Sequence, residues 1–266
     1  MQIKDFFLNT PVFRYEEFNF FMKNKNKKMT QYNINRMLHY HIKAGNIVHI
    51  RKNLYGTILN NNWIDPYLIA AKATKNAVLG YLTALEIYGF AYTTFNELVY
   101  LSHRAAPAFE FQNQSFRATL EPKNLIKNKK EMMFVDEIQR DSITIKVTSL
   151  ERTIVDILDR PNLAGGFEEI FRSFERIISF DAEKIVSYAL ALNKGSTIAK
   201  IGYFLSSQPE YSKVDNSILN KLKPYIPKSP HYMDKTKKSK FYSEWNLLVP
   251  LEIIEKKWEE PNEDYI

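Results

Sequence analysis

Apolar positions in the first sixty residues fall on helical periods and then on an alternating one. Phe18, Phe21 and Met22 recur at i, i+3, i+4 within Tyr15–Met22, and Ile34, Leu38 and Ile42, with Met37 and His41 beside them, form one stripe further on. That spacing predicts two helices with one buried face each, preceded by a short opening helix over residues 2–8. Thr30 stands where an N-cap belongs and Gly45 where a C′ residue belongs, so the third helix is bounded by chemistry as well as by pattern. At about 100° per residue its opposite side carries Tyr32, Arg36, His39 and Lys43, flanked by Asn33 and Tyr40. Beyond Gly45 the alternation of Ile47, Val48, His49 and Ile50 predicts a strand. Arg51-Lys52-Asn53 then makes a tight basic turn, and Leu54–Ile58 makes the returning strand. Helices followed by a basic-tipped hairpin is the order of a winged helix-turn-helix, in which the third helix enters the major groove and the wing lies along phosphate.

The polar break Asn60-Asn61-Asn62 sets a domain boundary, giving 1–62 as a DNA-binding domain and 63–266 as a larger mixed domain. Asp65-Pro66 is an N-cap and N1 pair for a helix through about Ala73, and Gly80–Tyr88 predicts another with Leu82, Leu85 and Ile87 buried. Strand-like stretches follow at Leu98–Leu101, Phe109–Leu120 with a turn at Asn113-Gln114, Met132–Ile138 and Ile143–Val147. Their short connections predict one small, mainly antiparallel sheet. Thr148 and Glu151 are spaced as a capping box for a helix burying Leu150, Ile154, Ile157 and Leu158, with Arg152 and Asp156 one turn apart outside it. After the break around Gly165-Gly166, helices are expected at about 167–178, 181–193 and 196–207. From Pro224 the tail is rich in Pro, Lys and aromatics before the apolar piece Trp245–Ile254. The class is α+β with a helical C-terminal part.

Charge sharpens this picture. The formal net charge is +7, and residues 1–60 hold 10 basic against 3 acidic side chains while the rest holds 27 of each. The whole surplus lies in the segment with the polar helix face, which points to a nucleic-acid partner. Arg36 can pair bidentately with guanine, Asn33 or Asn35 with adenine, and the lysines supply phosphate attraction. The candidate DNA contacts are Tyr32, Asn33, Asn35, Arg36, His39, Lys43, Arg51 and Lys52. Without cysteine the chain has no disulfide, thiol nucleophile or Cys-based zinc site, and that fits a reducing compartment. Phe6-Phe7-Leu8 is too short for a signal-peptide core and no long uncharged apolar stretch occurs, so a cytoplasmic protein with no membrane association is expected.

Signals for catalysis are weak. No phosphate loop, paired-glycine fingerprint, HExxH or GxSxG is present. His39 and His41 point to opposite faces and cannot share a metal, and His41 reads as a residue at the core's edge. Glu97, Asp136, Glu137 and Lys146 could form a nuclease cluster, but scattered carboxylates are far more often surface residues. Trp63, Trp245 and Trp258 read as buried core or interface anchors. The expectation is a non-enzymatic protein with no cofactor and no metal.

Three stretches carry a family likeness: Ile50-Arg51-Lys52-Asn53-Leu54-Tyr55-Gly56, Tyr81–Gly89 (YLTALEIYG), and Ser149–Asp156 (SLERTIVD) with Arg160-Pro161 and Gly165-Gly166. With them the chain resembles the AbiEi antitoxins of bacterial AbiE toxin–antitoxin systems, from about residue 10 to 250. The resemblance implies an N-terminal domain that represses its own operon at promoter inverted repeats, and a C-terminal domain that counteracts a nucleotidyltransferase-like toxin encoded beside it. It places the antitoxin role around Ser149, Glu151, Arg152 and Asp156, although a capping acid and an Arg–Asp pair one turn apart would stabilise a helix start with nothing bound. A monomer or weak dimer in solution with two copies on DNA would match an inverted repeat. Without a toxin, the same design would be a winged-helix transcription factor with a ligand-sensing or self-associating domain.

Overall fold

The computed structural model describes residues 2–58, 63–208, 214–256 and 258. The boundary expected at Asn60–Asn62 lies outside them. The chain forms two compact units that share it in alternation. The first takes Met1–Leu79, Phe95–Leu120 and Asp136–Val147, and the second takes Gly80–Thr94, Glu121–Val135 and the chain from Thr148 on.

The first unit opens with α1 (Ile3–Asn9), β1 (Val12–Arg14), α2 (Tyr15–Lys25), α3 (Gln31–Lys43), β2 (Ile47–Arg51) and β3 (Leu54–Thr57). The three strands make an antiparallel sheet in the order β1-β3-β2. Phe6, Phe7, Phe13, Phe18, Met22, Ile34, Leu38 and Ile47 pack into one core beneath the helices. Its centre is a ring cluster in which Phe6 meets Phe13 edge-on at 5.3 Å and Phe7 stacks on Phe18 at 6.1 Å. Both ends of α3 follow the sequence: the Asn33 amide donates to Thr30 Oγ1 at 3.3 Å, and Gly45 takes a left-handed φ of 73°.

The unit continues through α4 (Pro66–Lys72), capped by Asp65 through the Tyr67 amide at 2.8 Å. A six-stranded sheet follows, formed by β4 (Val78–Leu79), β5 (Glu97–Ser102), β6 (Phe109–Phe111), β7 (Gln114–Leu120), β8 (Val135–Arg140) and β9 (Ile143–Thr148). Its order is β6-β7-β5-β4-β9-β8. The sheet expected to be mainly antiparallel is mixed: β4–β5 and β6–β7 are antiparallel, whereas β5 runs parallel to β7 over six registered pairs and β4 is parallel to β9. After β5 the chain skips one strand position, forms the edge strand β6, and turns back through Gln112-Asn113, both at positive φ, to lay β7 beside β5. A parallel pair thus arises without a crossover helix. Residues 63–79 share this unit with the N-terminal helices, tied to them by Arg14, which donates to the Lys72 and Ala73 carbonyls, and by the Lys72–Glu17 ion pair.

The second unit comprises α5 (Tyr81–Ile87), α6 (Lys123–Lys127), α7 (Leu150–Asp159), α8 (Phe167–Phe174), α9 (Ala182–Leu192), α10 (Gly195–Ser206), α11 (Asn216–Asn220), β10 (His231–Tyr232), β11 (Ser239–Tyr242), β12 (Leu247–Pro250) and α12 (Leu251–Ile254). The central helix is α7, with Ile154, Val155, Ile157 and Leu158 wholly buried against α5, α9 and α10. The three short strands form a separate sheet in the order β10-β12-β11. Trp245 is buried as expected, but Trp63 is 56% exposed and is no core anchor. No helix among the described residues is long and apolar enough to cross a membrane.

Candidate nucleic-acid interface

The outward side of α3 is built from the residues its periodicity places there. Tyr32, Asn33, Arg36, His39, Tyr40 and Lys43 are all exposed, Tyr32 to 72% and Tyr40 to 65%. The helix contains no acidic residue, and among the described residues the Arg36 guanidinium has no hydrogen-bond or ion-pair partner. Its charge is therefore unneutralised and its fork is open to a ligand. The segment leading into α3 adds Lys23, Lys25, Lys27 and Lys28, all exposed.

Two of the expected contact residues are already engaged. Asn35 accepts from the Tyr15 hydroxyl and from Gln31 Nε2, on the rim of a groove of about 430 Å³ shared with His39, Asn53 and Tyr55. Burial holds the Tyr15 and Tyr55 hydroxyls above their ordinary pKa, so this groove is lined by neutral phenols. Arg51 lies with its guanidinium 4.5 Å over the Phe109 ring and donates to the Pro107 carbonyl at 3.3 Å, which fixes the tip end of the hairpin. Lys52 remains exposed at the tip, where Asn53 adopts φ 63°. Asn tolerates such left-handed geometry, so the turn forms without a glycine. His41 sits at the core edge as expected, edge-on to Phe7 at 4.9 Å and bonded to Asn46, and burial lowers its pKa.

Ser149, Glu151, Arg152 and Asp156 occupy the start of α7. The cap is Ser149, which accepts from the Arg152 amide at 3.3 Å, and not Thr148, whose hydroxyl pairs with Thr153 inside the unit. The placement of Arg152 and Asp156 outside the helix is corrected. Their side chains are 0% and 2% exposed, at the centre of a polar network. Arg152 Nε donates to Asp156 at 3.2 Å, Nη2 to Glu121 at 2.9 Å, and Nη1 to the Glu131 and Met133 carbonyls at 2.6 and 3.1 Å. Asp156 also accepts from the Tyr188 hydroxyl at 2.8 Å. Every guanidinium nitrogen is thus used within the fold. Glu121 lies thirty-one residues from Arg152, so no local spacing signals this partner.

Burial pushes the Glu121 carboxyl up to about 7 despite the pull of Arg152. The folded protein therefore holds a proton that the unfolded chain releases near 4.5, and stability is expected to fall as pH rises between those values and to level off above about 7. Melting temperatures from pH 4.5 to 8 check this, and Glu121→Gln should flatten the slope in that window.

Among the described residues no three His, Asp or Glu side chains gather as a metal site. Glu97 is paired with Arg117 at 2.6 Å.

No family model matches the chain, and no curated protein matches it. Among solved structures it is similar to the crystal structure of the RV2827C protein from Mycobacterium tuberculosis, with a TM-score of 0.58 and 13% identity over 94% of this chain and 90% of that one. At that identity the likeness is one of fold, extending along nearly the full length of both chains.

Proposed function

We propose that the chain is the antitoxin and autorepressor of an AbiE-type toxin–antitoxin operon, with residues 2–58 acting as a winged helix-turn-helix. The observation that carries this reading is the acid-free, unpartnered face of α3, set in the order α1-β1-α2-α3-β2-β3 between a lysine-rich approach and a lysine-tipped hairpin. In that arrangement Arg36 reads guanine by its open fork and Asn33 reads adenine, while Tyr32, His39 and Tyr40 pack along the groove walls. Lys43, Lys52 and the lysines before α3 hold phosphates. Two chains meet the two halves of an inverted repeat in promoter DNA. The second unit counteracts a nucleotidyltransferase-like toxin, and neither role calls for a cofactor, a metal or catalysis by this chain. The place of action is the cytoplasm.

The test is fluorescence anisotropy of the full chain on its own upstream promoter and on a shuffled duplex. Specific binding that survives between about 50 and 200 mM salt is expected, with Arg36→Ala weakening promoter binding by about 5- to 150-fold and the shuffled duplex much less. Equal binding to both duplexes, or an indifferent Arg36→Ala, rejects the repressor role. Rescue from the neighbouring gene's product, assayed with the full chain, tests the antitoxin role.

A second reading, a transcription factor with a ligand-sensing domain, is favoured by a cleft of about 590 Å³ in the second unit, lined by Phe171, Phe174, Tyr203 and Phe204 together with Glu175 and Gln208. That size and mixed lining suit a small ligand with both apolar and polar groups. Promoter affinity that changes with such a ligand, together with failure to rescue, would establish it.

A further inference from the structure

The lysine-rich, aromatic tail forms a surface that the reading above does not use. In the β10-β12-β11 sheet, Tyr232 on β10 and Phe241 on β11 are both registered against Leu248 of the central strand, one from each side. Residues paired in register share a face, so the three make a row across the sheet. The row is open to solvent: Tyr232 is 49% and Phe241 45% exposed, whereas Leu247 and Val249, which point the other way, are fully buried. At about 4.8 Å per strand the two rings stand roughly 10 Å apart, enough to seat two bases side by side.

The charge around this row is one-sided. Glu244 is paired with Lys223, Glu252 with Lys237, and Asp234 is held by Thr236 of its own loop. Lys228, Lys235 and Lys238 are exposed and have no ion-pair partner among the described residues. Two flat rings on a sheet, bordered by uncompensated lysines, suit a polyanion that carries free π-faces. A duplex keeps its bases stacked on each other and offers none. A protein partner would need about 800 Å² of contact on each side for a stable complex, far more than two half-exposed rings and one Leu provide.

We propose that this sheet face binds single-stranded RNA, with bases stacked on Tyr232 and Phe241 and phosphates held by Lys235 and Lys238. RNA is favoured over DNA because cellular single strands are RNA for the most part. The site uses residues of the second unit only and stands or falls independently of DNA reading by α3.

The experiment uses the full chain and a fluorescein-labelled mixed-sequence 12-nucleotide RNA, with the same sequence as single-stranded DNA and as a duplex, followed by anisotropy. The RNA and the single-stranded DNA are both expected to bind more tightly than the duplex, and Tyr232→Ala with Phe241→Ala to weaken RNA binding by about tenfold or more. Tyr232→Phe alone keeps the affinity. Lys235→Gln with Lys238→Gln lowers the salt slope by about 1.4, and this pair serves as the second variant should the aromatic pair fail to fold. Arg36→Ala leaves RNA binding unchanged. Absence of RNA binding, tighter binding of the duplex, indifference to the aromatic pair, or loss in Arg36→Ala would each overturn the proposal.

Discussion

Arg152→Ala is expected to destabilise the second unit by about 3–5 kcal/mol, lowering its melting temperature by about 6–20 °C. The side chain is fully buried, and its removal strands two carboxylates and two carbonyls at once. Asp156 and Glu121 lose their counter-ion, and the Glu131 and Met133 carbonyls lose their donor. Asp156, Tyr188 and Glu121 together hold the guanidinium's pKa above its ordinary value even though burial works against it, so it stays charged in every accessible condition. Arg152→Lys should rescue little, because one ammonium cannot span a fork that reaches four acceptors. Replacing Arg152, Glu121 and Asp156 together by Met, Leu and Leu should recover much of the loss, since no charge is then left unpaired. Urea melts of the three variants check the order, and an Arg152→Ala protein melting within two degrees of the parent would refute the network's role. A neutralisation defect in any Arg152 variant consequently reports folding before it reports a partner surface.

Gly202→Ala is expected to cost about 3 kcal/mol or more, although Ala is ordinarily favoured over Gly in a helix by about 1 kcal/mol. A Cβ at this position of α10 would stand 2.1 Å from Trp245 Cε3 and 2.3 Å from Cζ3. The indole cannot retreat. It is 1% exposed, its Nε1 donates to Ser206 Oγ at 3.0 Å, and Lys223 Nζ lies 4.4 Å over its ring. In a Trp63→Phe, Trp258→Phe background the remaining tryptophan should shift its emission to the red as it is forced out, with a parallel fall in melting temperature. An unchanged spectrum would show that α10 moves instead.

Local structure was legible where it rests on periodicity and capping. The α3 stripe is long enough for its phase to be unambiguous, and Thr30, Gly45 and Asp65 mark their termini through hydrogen bonds made within a few residues. Strand β1 escaped notice because three residues are too few to show alternation, and β10, β11 and β12 are equally short and interrupted by prolines and lysines. Pairing partners were not legible either: nothing in Glu97–Ser102 or Gln114–Leu120 states that they run parallel, which depends on a detour through the edge of the sheet. The start of α7 shows the same limit. The i, i+4 spacing of Arg152 and Asp156 correctly signals an ion pair, but whether that pair faces water or the interior is decided by Glu121 and Tyr188, which only tertiary structure brings near. On α3 the candidates were identifiable by face, whereas the engagement of Asn35 by Tyr15 and of Arg51 by Phe109 required the fold.

The alternation of the chain between its two units governs how the protein comes off the ribosome. The first unit needs strands that end at Val147, so although the core beneath α3 draws on residues 6–47, the unit it belongs to is completed only with the later sheet. At about 5–20 residues per second, the stretch from the end of α3 to Val147 takes roughly 5–21 s to synthesise. The second unit holds residues made before this point, from Gly80 and from Glu121, yet gains its central helix only afterwards. Folding is thereby deferred until most of the chain has emerged, and a ribosome that stalls before Val147 releases neither unit in finished form.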